Sequence, residues 1–269
     1  MNEPVIRLVA FAGVLLALVA WELVSPRRAR AVGRRARWPG NLAVVGLNTV
    51  LARVLFPLGA AGAALWAETA GVGLFNVVGV PAWAAFVLSI LLLDLAIYGQ
   101  HVVFHRVPTL WRLHRVHHAD LDVDVTTGVR FHPGEIVLSM LIKVALVVAL
   151  GAPALAVIVF EVVLNATSMF NHANVGIPVG IDRALRTVLV TPDMHRIHHS
   201  VRPEETDSNF GFNVPWWDRL FRTYRAEPKD GQLGMTLGLM EFRDPGLQRL
   251  DRMLMIPAAG APRLRRRAS

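Results

Sequence analysis

The chain has 269 residues, 54% of them apolar, with a mean hydropathy of +0.43 and a net charge of +8. The apolar share excludes an ordinary soluble domain of this size, and the lack of cysteine excludes disulfides, iron–sulfur clusters and thiolate metal sites. The positive charge does not indicate nucleic acid, because the arginines fall in short runs beside apolar stretches, at 27–37 and 263–267, where they suit membrane orientation and anionic headgroups.

Crossing about 30 Å of hydrocarbon takes about 20 apolar residues. Residues 5–24, 42–66 and 77–98 meet that requirement as three transmembrane helices. The basic cluster follows the first of them, which favours a spanning helix over a removed signal peptide. A fourth apolar stretch, 136–170, is interrupted at Gly151-Ala152-Pro153, where proline removes a backbone donor, and reads as a hairpin of two membrane helices. The expected fold is all-α and integral to the membrane: about three transmembrane helices plus a helical hairpin, with a cytoplasmic helical cap. Arg27 to Arg37 mark the cytoplasmic side. The third helix then delivers His101 to that side, and the hairpin returns the chain to it. An arginine-rich chain whose only lysines are Lys143 and Lys229 suits a GC-rich bacterial genome, and so a bacterial inner membrane.

Ten histidines occur. His101 and His105 are spaced i, i+4. His114, His117 and His118 are spaced i, i+3, i+4, and His195, His198 and His199 repeat that pattern. On a helix such spacings set side chains on one face with Cβ atoms about 5–6 Å apart, close enough for two imidazoles to share an ion. His172 stands alone in Asn171-His172-Ala173-Asn174 and is a further candidate ligand. His132, before Pro133, is also a candidate ligand, or instead a group that supports a ligand or caps the next helix. Eight or nine imidazoles exceed the four ligands of a zinc ion and suit two metals. Imidazole alone admits zinc, copper, iron or nickel. No His-Glu-x-x-His occurs, so the base of a zincin protease is missing, and no Glu-x-x-His pair of the carboxylate di-iron bundles is present. Asp94 and Tyr98 continue the His101/His105 stripe. Asp94 is read either as a group orienting a ligand imidazole or as an interhelical hydrogen-bonding residue.

The order Asp94, Tyr98, His101, His105, then Trp111, His114, His117, His118, then Phe131-His132-Pro133 and Glu135, resembles the fatty acid hydroxylase/sterol desaturase superfamily. So do Met194 to His199, Asn209-Phe210-Gly211 and Trp217 to Phe221. The resemblance covers about residues 90–225. It implies a non-haem di-iron centre at the cytoplasmic membrane face, with O₂ as co-substrate and a membrane lipid hydroxylated or desaturated. The ligands it implies are His101, His105, His114, His117, His118, His195, His198 and His199, with His172 as a ninth. A second histidine common near His172 in the family is absent here, Ser168 and Gly176 standing four residues to either side, so water or Asn171 is left to fill a position. The implied organisation is a single membrane domain over 1–269: N-terminal transmembrane helices over 1–76, a catalytic region over 77–225 and a basic tail over 226–269.

No flavin, haem or ferredoxin module is visible, so electrons must come from an external reductase or ferredoxin-type donor. The basic surface near Arg222, Arg225 and Arg243 suits such an acidic partner and lipid headgroups equally. Trp111, Trp216 and Trp217 are candidates for interface anchors or gates. Two other readings compete: a zinc-dependent membrane hydrolase and a non-enzymatic metal transporter or sensor. Transporters hold ligands near the bilayer midplane, whereas these histidines collect at helix ends on one side, which favours an enzyme.

Overall fold

The computed structural model describes residues 3–260 and shows a helical protein with two isolated β-bridges and no strand among those residues. The arginine run at 263–267 and the end of the expected basic tail lie outside the described residues. Five segments are long and apolar enough to span a membrane. Helix α1 runs Glu3–Val24 and α2 runs Arg34–Leu55. Then come α3, Gly59–Thr69, the short α4, Leu74–Val78, and α5, Ala82–Arg106. The hairpin is α7, Pro133–Leu150, and α8, Ala154–His172, preceded by α6, Pro108–His118.

The single helix expected over 42–66 is instead two helices. The break falls at 56–58, where Pro57 has no N–H to continue the ladder and Phe56 donates the last hydrogen bond to Ala52. Alanine-rich α3 then packs into the angle of the hairpin, its Ala60, Ala61 and Ala64 against Val147, Leu150 and Ala152. Small residues let the backbones approach closely there. The hairpin turns at Gly151, whose φ of +67 is costly for other residues and whose Cβ position would meet the Asn76 amide at 2.7 Å. Leu8, Val77, Trp83 and Leu155 point outward, more than half exposed, as a lipid-facing surface requires.

All five spanning segments converge at one end, under a cap made of α6, the loop 119–132, α9 (Val179–Leu185), α10 (Pro192–His198) and the chain to 260. The basic cluster at 27–37, read from sequence as a headgroup and topology signal, is largely turned inward. Arg37 is fully buried and donates to both oxygens of Asp120, at 2.5 and 2.8 Å, and to Asp124 at 2.8 Å. Arg27 pairs with Asp193, and Arg28 donates to the carbonyls of Gln232 and Met235. Arg30 and Arg34 pair with nearby Glu22, but the acidic partners of Arg27 and Arg37 lie 83 or more residues away in sequence, so the cluster alone did not reveal those. Buried Glu22, at the end of α1, accepts from the backbone of Val125 and Asn174 and so ties the cap to the bundle.

Candidate metal centre

Two helices of the cap and two of the bundle carry the histidines. Pro108 starts α6 at a position where a missing N–H costs nothing, and Thr191 with Pro192 starts α10, the threonine side chain accepting from the Met194 N–H. Helix α5 runs eight residues beyond the expected 98. His101 and His105 therefore sit in its last turns, on the stripe expected with Asp94 and Tyr98, and His172 is the last residue of α8.

All nine expected ligands come together, in two groups whose candidate ligand atoms lie within 4.8 Å of one another. The first group is His101 and His105 from α5, His114 and His118 from α6, and His198 from α10. The second is His117 from α6, His172 from α8, His195 from α10 and His199 at its C-cap. Each His-x-x-His-His run is thus divided. In α6 the i, i+4 pair joins the first group and the i+3 residue the second; in α10 the allocation is reversed. His118 and His199 stack between the groups with ring centroids 4.6 Å apart.

The outward ring nitrogens fix the tautomers. A carbonyl or carboxylate oxygen can only accept, so each imidazole nitrogen facing one must donate. His101 Nδ1 donates to Phe210 O at 2.7 Å, His114 Nδ1 to Glu135 at 2.7 Å and His117 Nδ1 to Arg130 O at 3.2 Å. His172 Nδ1 donates to Ser168 O and His198 Nδ1 to Ser208 O, both at 2.7 Å. His105 faces Asp207 at 3.3 Å. A neutral imidazole that donates through Nδ1 holds a lone pair at Nε2. His101 and His114 therefore meet Nε2 to Nε2 at 3.0 Å as two acceptors, and His117 and His172 do the same. His105, His118 and His198 each bury an Nε2 with no partner, His195 buries both ring nitrogens without one, and His199 meets His172 Nε2 to Nε2 at 3.0 Å while its Nδ1 has no partner.

Protonation cannot relieve this. Burial first, then the neighbouring imidazoles, hold His117, His118, His195, His198 and His199 well below the ordinary histidine value, so they are neutral at neutral pH. Converging lone pairs that lack protons are what a cation needs. The donor set, all nitrogen with no thiolate, fits a borderline transition metal, and the groups of five and four could each hold one ion.

The residues expected to support the ligands act at one remove. Asp94 accepts from Asn213 and from the Trp217 indole, both at 2.8 Å, and touches no imidazole by hydrogen bond. The interhelical reading of Asp94 is the one that describes it. Tyr98 bonds Thr223 and stacks on Phe221. Asn171 donates to Phe212 O at 3.0 Å. All three tether the segment 210–223, whose Phe210 carbonyl receives the His101 proton. His132 belongs to neither group: its Nδ1 accepts from the Gly134 N–H at 3.1 Å and caps α7.

Glu135 was quoted in the sequence motif without a role, yet it is the one buried carboxylate that bonds a group member. Its signal was its place two residues after Pro133 at a helix start. Asp218 was missed in the same way: it accepts from the backbone of Phe210 and Gly211 and shapes that loop, and burial pushes its carboxyl up from the ordinary value. Of the three tryptophans expected at an interface, Trp111 packs 4.8 Å from the His105 ring, Trp217 holds Asp94, and Trp216 is the most exposed at 45%, its indole donating to the Thr187 carbonyl.

A family profile described as Fatty acid hydroxylase matches residues 86–223, a span holding all nine histidines of the two groups. Ornithine lipid hydroxylase OlsE of Rhizobium tropici is 31% identical over 147 residues, 53% of this chain and 42% of that protein. Human alkylglycerol monooxygenase is 28% identical over 152 residues, 55% of this chain and 32% of that one. Rat cholesterol 25-hydroxylase is 26% identical over 149 residues, 54% and 48%. The match thus spans less than half the length of each of these relatives. No solved structure matches the chain. On the extent of the family match, which covers just over half of it, the chain belongs to the fatty acid hydroxylase family.

Proposed function

We propose that this protein is an O₂-dependent di-iron monooxygenase that hydroxylates a lipid C–H bond, with its histidines on the cytoplasmic side of a bacterial inner membrane. The observation that supports it best is the pair of imidazole groups, in which His101, His114, His117, His172 and His198 donate outward through Nδ1 and so turn Nε2 lone pairs inward. The ligands in this reading are His101, His105, His114, His118 and His198 for one ion and His117, His172, His195 and His199 for the other. They fall within the catalytic region 77–225, after the N-terminal helices. When bound, the two irons would supply reductive activation of O₂, an external protein donor giving two electrons and two protons completing one alcohol and one water. The relatives are named for acting on ornithine lipid, alkylglycerol and cholesterol, each an amphiphile, and that favours hydroxylation over desaturation and a membrane lipid as substrate here.

The chain's own residues bind and orient. Outward hydrogen bonds from Glu135 and the carbonyls of Phe210, Arg130, Ser168 and Ser208 lock ring orientation, which raises ligand basicity. A cavity of about 880 Å³ lies among α1, α2, α5, α7 and α8 and reaches His101 and His114, so a lipid chain entering from the bilayer can arrive beside the first group. Phe104, Phe131 and Phe212 line its inner end and exclude water there.

The test is metal content and O₂ uptake on protein purified in mild detergent from iron-replete cells. One iron for each imidazole group, with uptake only after chemical reduction and addition of lipid, is the expected result. Stoichiometric zinc that iron does not displace, with no O₂ uptake, would overturn it in favour of hydrolysis or metal handling.

A further inference from the structure

The cavity has a second end, and it is charged. Lys143, midway along α7, donates to Glu161, midway along α8, at 2.7 Å; Arg7 of α1 pairs with the other Glu161 oxygen at 2.7 Å. All three side chains line the cavity, as does Arg53 of α2. Ionisable groups within spanning helices are costly and are retained where they meet a polar ligand or pathway. Lys143 has three N–H donors, and Glu161 is its one hydrogen-bond partner among the described residues, although its side chain is only 14% exposed. Arg53 has no ion pair among those residues. Lys143 shares this carboxylate with Arg7, so its other donors are left to meet a ligand in the cavity.

The two ends are separated by helical rise. Lys143 lies eight residues along α7 from Glu135, which bonds His114, or about 12 Å. Glu161 lies eleven residues along α8 from His172, or about 16 Å. An extended chain advances about 1.2 Å per bond, so roughly ten or more bonds separate a group held at one end from a carbon presented at the other. Gln100, bonded to Ser139, and Ile97, Met140 and Met169 line the path between.

We propose that the Lys143 end of the cavity, with Arg53 and the Arg7–Glu161 pair, is a binding site for the acidic head of an amphiphile, a carboxylate or a phosphate, whose hydrocarbon chain runs toward His101 and His114. The substrate class is then an anionic single-chain lipid, or a lipid with one acidic group, oxidised well down the chain. The inference rests on the hydroxylase reading for what happens at the histidine end, but the anion site itself does not require turnover.

The experiment is displacement of a bound fluorescent fatty acid from the full-length, metal-loaded protein by hexadecanoate, hexadecyl phosphate and hexadecanol, compared with the Lys143→Gln and Lys143→Arg variants. The acids should bind about tenfold or more tighter than the alcohol. The tighter of the two acids identifies the head group, and either order supports the site. Lys143→Gln should remove most of the preference while leaving alcohol binding unchanged, and Lys143→Arg should keep it. Glu161 retains Arg7 in both variants, so the carboxylate is not stranded, and an unchanged thermal midpoint and metal content would show the fold intact. Equal binding of acid and alcohol, or a preference that survives Lys143→Gln, would overturn the proposal. Iron absent from the histidines would sink the hydroxylase reading while leaving this binding comparison readable.

Discussion

Two buried polar regions lie side by side in the cap, and they are satisfied in opposite ways. The first is the charged knot of Arg37, Asp120, Asp124 and Arg130. Its carboxylates and guanidiniums answer one another: Asn41 and Thr127 add hydrogen bonds to Asp120, and Arg130 reaches Asn41, Gln248 and the Val116 carbonyl. Burial alone would raise the Asp120 carboxyl, but the Arg37 and Arg130 charges and the hydrogen bonds hold it well below the usual carboxylate range. The second region is the histidine cluster, where six outward Nδ1 atoms are bonded, pairs of inward Nε2 atoms meet, and His195 and His199 bury ring nitrogens with no partner. Buried polar groups are ordinarily paired, so the first region is nearly complete as protein, with Arg130 Nη2 alone lacking a partner, and the second is one that cations would complete. The contrast separates a residue that holds the fold from one that holds a metal, and each prediction below presses on it.

The largest effect belongs to the knot. Asp120→Ala strands Arg37 and Arg130 without their main counter-charge at full burial. Breaking such a pair costs about 3–5 kcal/mol, so the variant should unfold or lose most of its thermal stability, whether or not metal is supplied. A thermal midpoint near that of the unaltered protein would show that the knot is not the anchor of the cap.

Next come the imidazoles. His117→Ala and His198→Ala each remove one member, from the second and the first group respectively. Either should lower turnover at least about 100-fold and cut metal per chain. Stability should respond in the opposite pattern to the knot, because a chelator lowers the midpoint of the unaltered protein toward that of the His variants and barely moves the variants themselves. Metal analysis alongside calorimetry reads both; full metal with full turnover in His117→Ala would remove it from the ligand set.

Glu135→Gln is expected to be milder. Glutamine can keep one acceptor for His114 Nδ1 but loses the charge, and changes to groups of this kind cost about 10–100-fold in metal affinity or activity. The measurement is a metal-competition titration with activity beside it. A loss in kcat at unchanged metal content would instead assign Glu135 a part in handling substrate or protons, since it also lines the cavity.

The legibility of these regions follows from their physics. The histidines could be read in sequence because side chains that share one face of a helix recur at i, i+3 and i+4, and that period survives without knowledge of the fold. The division of each triplet between two groups could not, because it depends on where α5, α8 and the two cap helices cross. The knot was hidden for a related reason: Arg37 lies in a basic run beside an apolar stretch, the pattern of a topology signal, and only its partners 83 and 87 residues away show that its side chain is internal. The number of spanning segments was legible from apolar length, and the break at Pro57 was present in the sequence but hidden by the continuous apolar run around it. Lys143 and Glu161 were legible as oddities, a lysine and a glutamate within apolar helices, but only packing showed that they meet in one cavity.

The smallest effect concerns the tenth histidine, and it tests the boundary of the cluster. His132 lies in the same motif as Glu135 and three residues from it, so proximity in sequence would make it a ligand. Its geometry makes it a cap instead, with Nδ1 on the Gly134 N–H and Pro133 occupying the first helical position. A cap residue replaced by alanine costs about 1 kcal/mol, whereas asparagine, among the most favoured N-caps, can accept the same bond. His132→Ala should therefore lower the thermal midpoint slightly, His132→Asn should restore it, and both should retain full metal content. Loss of metal in the asparagine variant would move His132 from the helix terminus into the metal centre, because an amide reproduces the cap but not an imidazole ligand.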